Sequence, residues 1–304
     1  MAEAIFNQPH FQDADEARAY LERQVWPQGP VCPHCGSCAK PYALQGKSNR
    51  PGLYKCADCR EPFTVTVGSI FERSKIPLHK WLLAVYLLCS SKKGMSSHQL
   101  HRTLGVTYKT AWFMTHRIRE AMNQPHFQKF GYGGAPVEVD ETYWGTLKDA
   151  PKARGGAQHK MKIVSLVERG GAKQTHILPR ITAANVREVL VKQVHERARL
   201  MTDESSIYQT VGLEFAEHGV VNHSAGEYAR GDVTTNSAES SFALLKRGLV
   251  GTFHHVGEQH IQRYAHEFDF RWNHRVKLGY GDKERADACL RGTQGKRLTY
   301  RRTH

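Results

Sequence analysis

From Pro136 onward the apolar residues change period in an order that restricts the fold more than any other feature of the chain. Val137-Glu138-Val139-Asp140-Glu141-Thr142-Tyr143-Trp144 alternates, the period of a half-buried strand, and Gly145 ends it. Ile163–Val167 and Thr175–Leu178 read as a second and third strand joined through Gly170-Gly171 as a hairpin. Val186, Val189, Leu190, Val194 and Ala198 then recur at helical spacing, which predicts a helix over 183–199. A short fourth strand runs over 199–203 and ends on an acid. A helix over 206–218 and a fifth strand over 220–223 follow. Phe242, Leu245 and Leu249 give the stripe of a helix that starts near Thr235, and a last helix runs over 257–273. Three strands in a meander, then strands alternating with helices, give a mixed five-stranded α/β sheet with helices flanking it.

Three acids stand at telling places in that order. Asp140 lies within the first strand, where Asp is disfavoured, so a functional reason is favoured. Asp203 closes the fourth strand, and taken alone it reads as a cap for the next helix. If strands one and four are neighbours, the two carboxylates meet at one end of the sheet, and Glu239 on the helix after strand five can close over them. Three oxygen donors facing one point suit Mg²⁺ or Mn²⁺. Two such ions about 4 Å apart can activate a water or a 3′-hydroxyl and stabilise the leaving oxygen at a phosphodiester. Lys246 lies two helical turns beyond Glu239 on the same face, suited to hold a phosphate. Asn236 shares that face and competes with Glu239 for the third place. A carboxylate brings charge to the metal, which an amide oxygen does not, so Glu239 is the better donor. Glu141 and Glu204, beside the two Asp residues, are expected to turn away and be solvated. His223 is either a neighbour of the site or a structural histidine.

Ahead of this region, Cys32-Pro33-His34-Cys35 and Cys56-Ala57-Asp58-Cys59 form two cysteine knuckles separated by twenty residues. Short strand-like pieces lie between and after them. Four thiolates from two tight turns close a tetrahedral structural Zn²⁺ site of the ribbon type. Cys38 is a fifth thiol, so Cys32 is paired with either Cys35 or Cys38, and the spacing favours Cys35. Cys89 and Cys289 sit in apolar helical surroundings and read as core fillers.

Residues 13–25 read as a short amphipathic helix and residues 77–123 as helical by pattern, with a break at Lys92-Lys93-Gly94-Met95. Ser96-Ser97 caps a helix to Leu104, Gly105-Val106 turns, and Thr107 opens a longer helix, the layout of a helix-turn-helix. Thr107, Tyr108, Lys109 and Arg117 are the candidates for DNA contact, against the plain alternative of a helical hairpin used for packing. The balance of 43 Lys+Arg against 29 Asp+Glu, a formal +14, favours a polyanionic partner such as nucleic acid. No apolar run of about eighteen residues occurs. The start of the chain lacks a signal-peptide layout, which predicts a cytoplasmic, nucleoid-associated protein with no membrane partner.

The motifs in combination resemble a bacterial insertion-sequence transposase with an RNase H-like DDE catalytic domain, of the group with an N-terminal zinc ribbon. The matching residues are Val139-Asp140-Glu141-Thr142-Tyr143, Thr202-Asp203-Glu204, Thr235 to Ser240, Leu244 to Gly248, and Glu267 to Arg275, with the cysteine pairs in front. The resemblance covers nearly the whole chain. It implies metal-dependent DNA cleavage at the terminal inverted repeats of an element and strand transfer into target DNA. It also implies a homo-oligomer assembled on those ends, with Lys246 and Arg247 against the DNA. Within this group the third catalytic position is Asn in some members and Glu in others, and members often carry a His where Thr234 stands here. Two other readings share these features. One is an inert DNA-binding regulator, and the other is a metal-dependent nuclease of the RNase H or resolvase kind. The expected organisation is a helical segment (1–30), the zinc ribbon (31–70), the helix-turn-helix region (71–123), a linker (124–135), the catalytic domain (136–275) and a basic tail (276–304).

Overall fold

The computed structural model describes residues 4–46, 48–124, 128–148 and 158–299. The chain divides into two units, Met1–Gln124 with Arg275–His304, and Pro125–His274.

The first unit opens with α1 (Ala14–Val25), whose first-turn amides Asp15 and Glu16 donate to the Asp13 carboxylate. Strands β1 (Tyr42–Ala43), β2 (Tyr54–Lys55) and β3 (Pro62–Phe63) make a small antiparallel sheet in that order. Helix α2 (Leu78–Ser90) buries Trp81, Leu82, Val85, Leu88 and Cys89. Helix α3 (Ser97–Leu104) is capped by the Ser96 hydroxyl, which accepts from Gln99 N–H at 3.1 Å. It ends where Gly105 takes a left-handed conformation, φ 61°, which is open to glycine without a Cβ penalty. The Thr107 hydroxyl then accepts from Thr110 N–H and starts α4 (Tyr108–Met122). Leu100 and Leu104 of α3 and Ala111, Met114 and Ile118 of α4 are buried, so the two helices form a packed helix-turn-helix.

The second unit has the RNase H-like fold. Strands β4 (Val137–Trp144), β5 (Met161–Glu168) and β6 (Lys173–Leu178) form an antiparallel meander. After α5 (Ala183–Gln193), strand β7 (Arg199–Thr202) pairs parallel with β4. Strand β8 (Glu217–Val220), reached through α6 (Ser206–Gly212), pairs parallel with β7. The sheet order is β6-β5-β4-β7-β8, with β4 central. One face buries Val137, Val139, Val164 and Leu166 against Val186 and Leu190 of α5 and Tyr208 and Val211 of α6. A two-residue hairpin pair, β9 (Ala229–Arg230) and β10 (Val233–Thr234), leads into α7 (Asn236–Gly248). Together with α8 (Ile261–Asn273), α7 covers the other face, where Met161 and Ile163 meet Phe242, Leu245, Leu249, Ile261, Tyr264 and Phe268.

Three elements differ from the periodicity reading. Helix α5 stops at Gln193 because Val194 turns extended and the chain pairs with Phe130, through Phe130 N–H to Gln193 C=O (2.8 Å) and His195 N–H to Phe130 C=O (2.9 Å). Helix α6 stops at Gly212 rather than running to His218. A Cβ at Gly212 would lie 2.0 Å from His218 Nδ1, so the chain folds back on itself there, and the fifth strand starts earlier, at Glu217. Residues beyond 275 are not a basic tail throughout. Asp282–Arg291 is a helix, α9, in the first unit, with Ala286, Ala288, Cys289 and Leu290 buried and Arg285 Nη1 donating to the Cys89 carbonyl at 3.0 Å. Cys89 and Cys289 are both core residues, as read from the sequence. Gly155 and Gly156, expected at the centre of a basic loop, and the end of the chain from Tyr300 lie outside the described residues. Among the described residues no helix is long and apolar enough to cross a membrane.

Candidate active site and accessory sites

Alternation along β4 turns Glu138, Asp140 and Thr142 to the face that α7 covers, and Val137, Val139 and Glu141 to the face of α5 and α6. The parallel register pairs Val137 with Leu200 and Glu138 with Met201. Continued by two residues, the same offset sets Asp140 level with Asp203, the residue that follows β7, and the Asp203 charge bears on the Asp140 carboxyl. Glu239 lies in the first turn of α7. Burial is the largest influence on the Asp140 carboxyl. The Glu141 N–H, which donates to Asp140 Oδ1 at 2.7 Å, opposes it, while the charges of Glu141, Asp203 and Glu239 add to it, and the carboxyl is pushed up to about 7. Burial also raises Asp203, against the Ser205 N–H that donates to its Oδ1 at 3.1 Å; the Glu204 charge raises it further and His223 lowers it. Glu239 Oε1 accepts from the Thr235 hydroxyl at 3.3 Å and lies 3.5 Å from His223 Nε2. The charges of Glu141, Asp203 and Glu239 thus all bear on Asp140. Carboxylate oxygens are the hard donors that suit a divalent ion such as Mg²⁺ or Mn²⁺.

The other residues of this region divide sharply. Asn236 is exposed at the first position of α7, its N–H donating to Thr234 Oγ1 at 3.2 Å. Only Glu239 of these two contributes charge at Asp140. Lys246 is partly exposed two turns further on. Arg247 is exposed, its Nε donating to the Ala243 carbonyl within the helix. Glu141 turns away from Asp140 as expected but is half-buried rather than solvated, while Glu204 stays accessible to solvent but is tied down by hydrogen bonds. Glu141 takes the buried Tyr208 hydroxyl at 2.5 Å, and burial raises its pKa. Glu204 accepts from the Ser224 hydroxyl (2.5 Å) and from the amides of His223 (2.9 Å) and Ser224 (3.0 Å). These bonds hold its carboxyl down to about 2 and pin the turn that carries His223. Glu138 is a residue that the sequence reading missed. It is 0% exposed and accepts from Ser237 and Ala238 N–H, the Ser237 hydroxyl and Arg169 Nε. Its one signal in the chain was its position two residues before Asp140 on the same strand face.

In the first unit, Cys32, Cys35, Cys56 and Cys59 bring all four sulfurs within 4.8 Å of one another, the one group of three or more such ligand atoms this close among the described residues. Cys32 and Cys59, and Cys35 and Cys56, are 3.7 Å apart. Zn–S bonds of about 2.3 Å in a tetrahedron require sulfur separations of about 3.8 Å, so the thiols fit a structural Zn²⁺. Each knuckle closes through a left-handed residue four positions after its first cysteine, Gly36 (φ 76°) and Arg60 (φ 63°). The amides of Cys59 and Asp58 pull the Cys56 thiol down to about 7. Cys38 stands apart, exposed, so the partner of Cys32 in its knuckle is Cys35. His34 is exposed beside the Pro62 carbonyl and is not in the group.

Thr107, Tyr108 and Lys109 are exposed at the start of α4, with Tyr108 stacked on His98 at 4.3 Å. Arg117 does not join them. It is 7% exposed, and its guanidinium donates to the carbonyls of Ile70 (2.7 Å), Glu72 (3.1 Å) and Leu298 (3.1 Å). Its position on α4, beside Met114 and Ile118, faces the interior, and it closes backbone groups there instead of reaching outward. A cavity of about 340 Å³ beside the start of α4 is lined by residues that include Arg73, Lys75, Trp81, Lys109 and Phe113.

Two family models match separate parts of the chain. The ISXO2-like transposase domain matches residues 133–273, and the transposase zinc-ribbon domain matches residues 12–61. A protein of Halobacterium salinarum (strain ATCC 700922 / JCM 11081 / NRC-1), described as an uncharacterized protein in transposable element ISH50, is 30% identical over 277 residues, 85% of this chain and 90% of that protein. Among solved structures, the Mos1 transposase paired-end complex with left transposon end is 15% identical over 64% of this chain and 76% of that one. Its TM-score of 0.24 gives that likeness no weight here.

Proposed function

The chain belongs to the ISXO2-like transposase family of insertion elements, and from that premise we propose that it cuts DNA at its element's terminal inverted repeats and joins the freed ends to target DNA. The observation that supports this reading is the charge gathered at the partly buried Asp140 carboxyl, on which both Asp203, which follows the neighbouring parallel strand β7, and Glu239, in the first turn of α7, bear. Asp140, Asp203 and Glu239 would hold Mg²⁺ or Mn²⁺. Bound there, such ions supply Lewis-acid activation of a water or 3′-hydroxyl and charge neutralisation at the scissile phosphate. Lys246 and Arg247 bind the phosphate backbone on either side of the cut. Thr107, Tyr108 and Lys109 meet the DNA from the start of α4. The zinc ribbon holds the first unit in shape, and the excess of 43 basic over 29 acidic residues draws in the polyanion. The chain works as a homo-oligomer, because two element ends must be joined to one target.

Joining assays with a pre-cut element end, target plasmid and Mg²⁺ test this. Wild type joins the end. Asp140→Asn and Asp203→Asn each lose roughly 100-fold or more while still retarding the end in a gel without metal. Glu239→Gln falls with them, and Asn236→Ala falls less. Full activity in Asp140→Asn overturns the mechanism. Cleavage without joining makes the protein a nuclease. Binding with neither reaction makes it a regulator.

A further inference from the structure

Helix α7 carries Glu239, and its first amide, Asn236 N–H, is taken by Thr234 Oγ1 at 3.2 Å. Thr235, at its N-cap, makes no capping bond, so the next amides need acceptors from elsewhere. They find them on the sheet. Glu138 Oε2 accepts from Ser237 N–H at 2.6 Å and Ala238 N–H at 3.2 Å, and Oε1 accepts from the Ser237 hydroxyl at 3.1 Å. The same Oε1 accepts from Arg169 Nε at 2.9 Å. Arg169 Nη1 and Nη2 in turn donate to the carbonyls of Asp232 (2.8 Å) and Thr234 (3.4 Å), on the hairpin that leads into the helix.

We propose that Glu138 is the positioning residue of this site: its carboxylate sets the place of Glu239 relative to Asp140. This rests on Asp140, Asp203 and Glu239 being the acids that hold the metal. Glu138 and Asp140 lie on one face of β4, two residues and about 7 Å apart. Ser237 and Ala238, the two amides that Glu138 holds, immediately precede Glu239. Apolar contacts of Phe242 and Leu245 favour burial but are non-directional, and they do not define where the helix stops along its axis. Hydrogen bonds from a buried carboxylate to two consecutive amides do define it. The helix dipole favours a negative charge at that end, and Arg169 balances the charge inside the fold. All four partners of Glu138 are donors. An amide in its place keeps one oxygen for the two backbone amides but loses the charge and turns an NH₂ group towards Arg169 Nε, so Glu138→Gln keeps the shape and weakens the clamp.

The test uses the full chain with Mn²⁺ alone, titrated calorimetrically into wild type, Glu138→Gln, Glu239→Gln and the double variant. Asp140→Asn gives the background from other sites, and melting is followed in parallel. Loss of a partner that orients a metal-binding side chain lowers affinity by about 10–100-fold, and Glu138→Gln is expected in that range. In the Glu239→Gln background the same change leaves Mn²⁺ affinity within about twofold, because the side chain it positions is gone. A merely structural role lowers the melting temperature in both backgrounds but gives no such dependence on Glu239. Equal loss of Mn²⁺ affinity in both backgrounds, or none in either, overturns the proposal. Wild-type Mn²⁺ affinity in Glu239→Gln instead overturns the assignment of Glu239 as a ligand, and the positioning role falls with it. Should Glu138→Gln fail to fold, Arg169→Lys replaces it. That variant keeps the charge beside Glu138 and removes the fork to the hairpin, and the same dependence on Glu239 is expected with a smaller loss.

Discussion

Five thiols lie between Cys32 and Cys59, and spacing leaves Cys35 and Cys38 as rivals for one place beside Cys32. The structure separates them by position. Cys35 shares the cluster of four sulfurs, and Cys38 lies outside it. Cys38→Ser is therefore expected to bind one zinc per chain, and Cys35→Ser to lose it and to unfold the ribbon. Metal content by mass spectrometry with ribbon protection by hydrogen exchange checks this. Structural zinc contributes on the order of 10 kcal/mol to such small folds, so the loss is not subtle. Zinc retained in Cys35→Ser would reverse the assignment. Arg117 teaches the converse at the same scale. A basic residue on a candidate recognition helix read as a DNA contact, yet its hydrogen-bond partners are backbone carbonyls distant in sequence.

At the scale of elements, α8 does for the edge of the sheet what a sixth strand would otherwise do. The outward amides of β6 belong to Lys173, Thr175 and Ile177. Asn273 Oδ1 accepts the first at 2.7 Å, Asp269 Oδ2 the second at 2.7 Å, and Gln262 Oε1 the third at 3.1 Å. Helical spacing of three polar residues thus matches every second residue of a strand, and the exposed edge is blunted. Asp269 also faces the buried Lys173 ammonium at 3.2 Å. Asp269→Ala leaves that cation without its partner and two β6 donors open, at a cost of about 3–5 kcal/mol. Denaturant unfolding of the full chain measures it, and a loss below about 1 kcal/mol would show that the contact is dispensable. The run from Phe268 to Arg275 is accordingly a docking surface for the sheet first, with Glu267 and Asp269 turned inward.

For the whole molecule, the chain leaves its first unit at Gln124 and returns to it at Arg275. Helix α9 completes that unit. Its Arg285 closes the Cys89 carbonyl, and the Tyr20 hydroxyl donates to Asp287 at 2.5 Å. A basic tail could be removed without consequence to the fold. Truncation after His274 is instead expected to strip hydrogen-exchange protection from α2 and α4 while the amides of β4 and β5 stay protected. Unchanged protection in α2 would return the segment to the status of a tail. The sequence underplays α9 because its buried positions are mostly small or charged: Ala286, Ala288, Cys289, Arg285 and Asp287 make a weak apolar stripe. Each charged member is buried only because a partner from α1 or α2, or a neighbour on α9 itself, meets it.

By itself the sequence determined the order of the five sheet strands and the covering helices of the second unit, since strand and helix periods are local properties that each segment carries alone. It also determined the zinc ribbon, where the spacing of thiols is nearly the chemistry itself, and it marked Asp140, because an acid in mid-strand contradicts local preference. Only the tertiary structure decided what depends on partners far along the chain. It ended α5 and α6 where Phe130 and His218 required, chose Cys35, turned Arg117 inward and enlisted α9. It also revealed Glu138, which alternation alone does not distinguish from a solvated acid. The reason is that burying a charge is unfavourable until a specific partner meets it, and the partners of Glu138 at Ser237 and Ala238 stand about a hundred residues away.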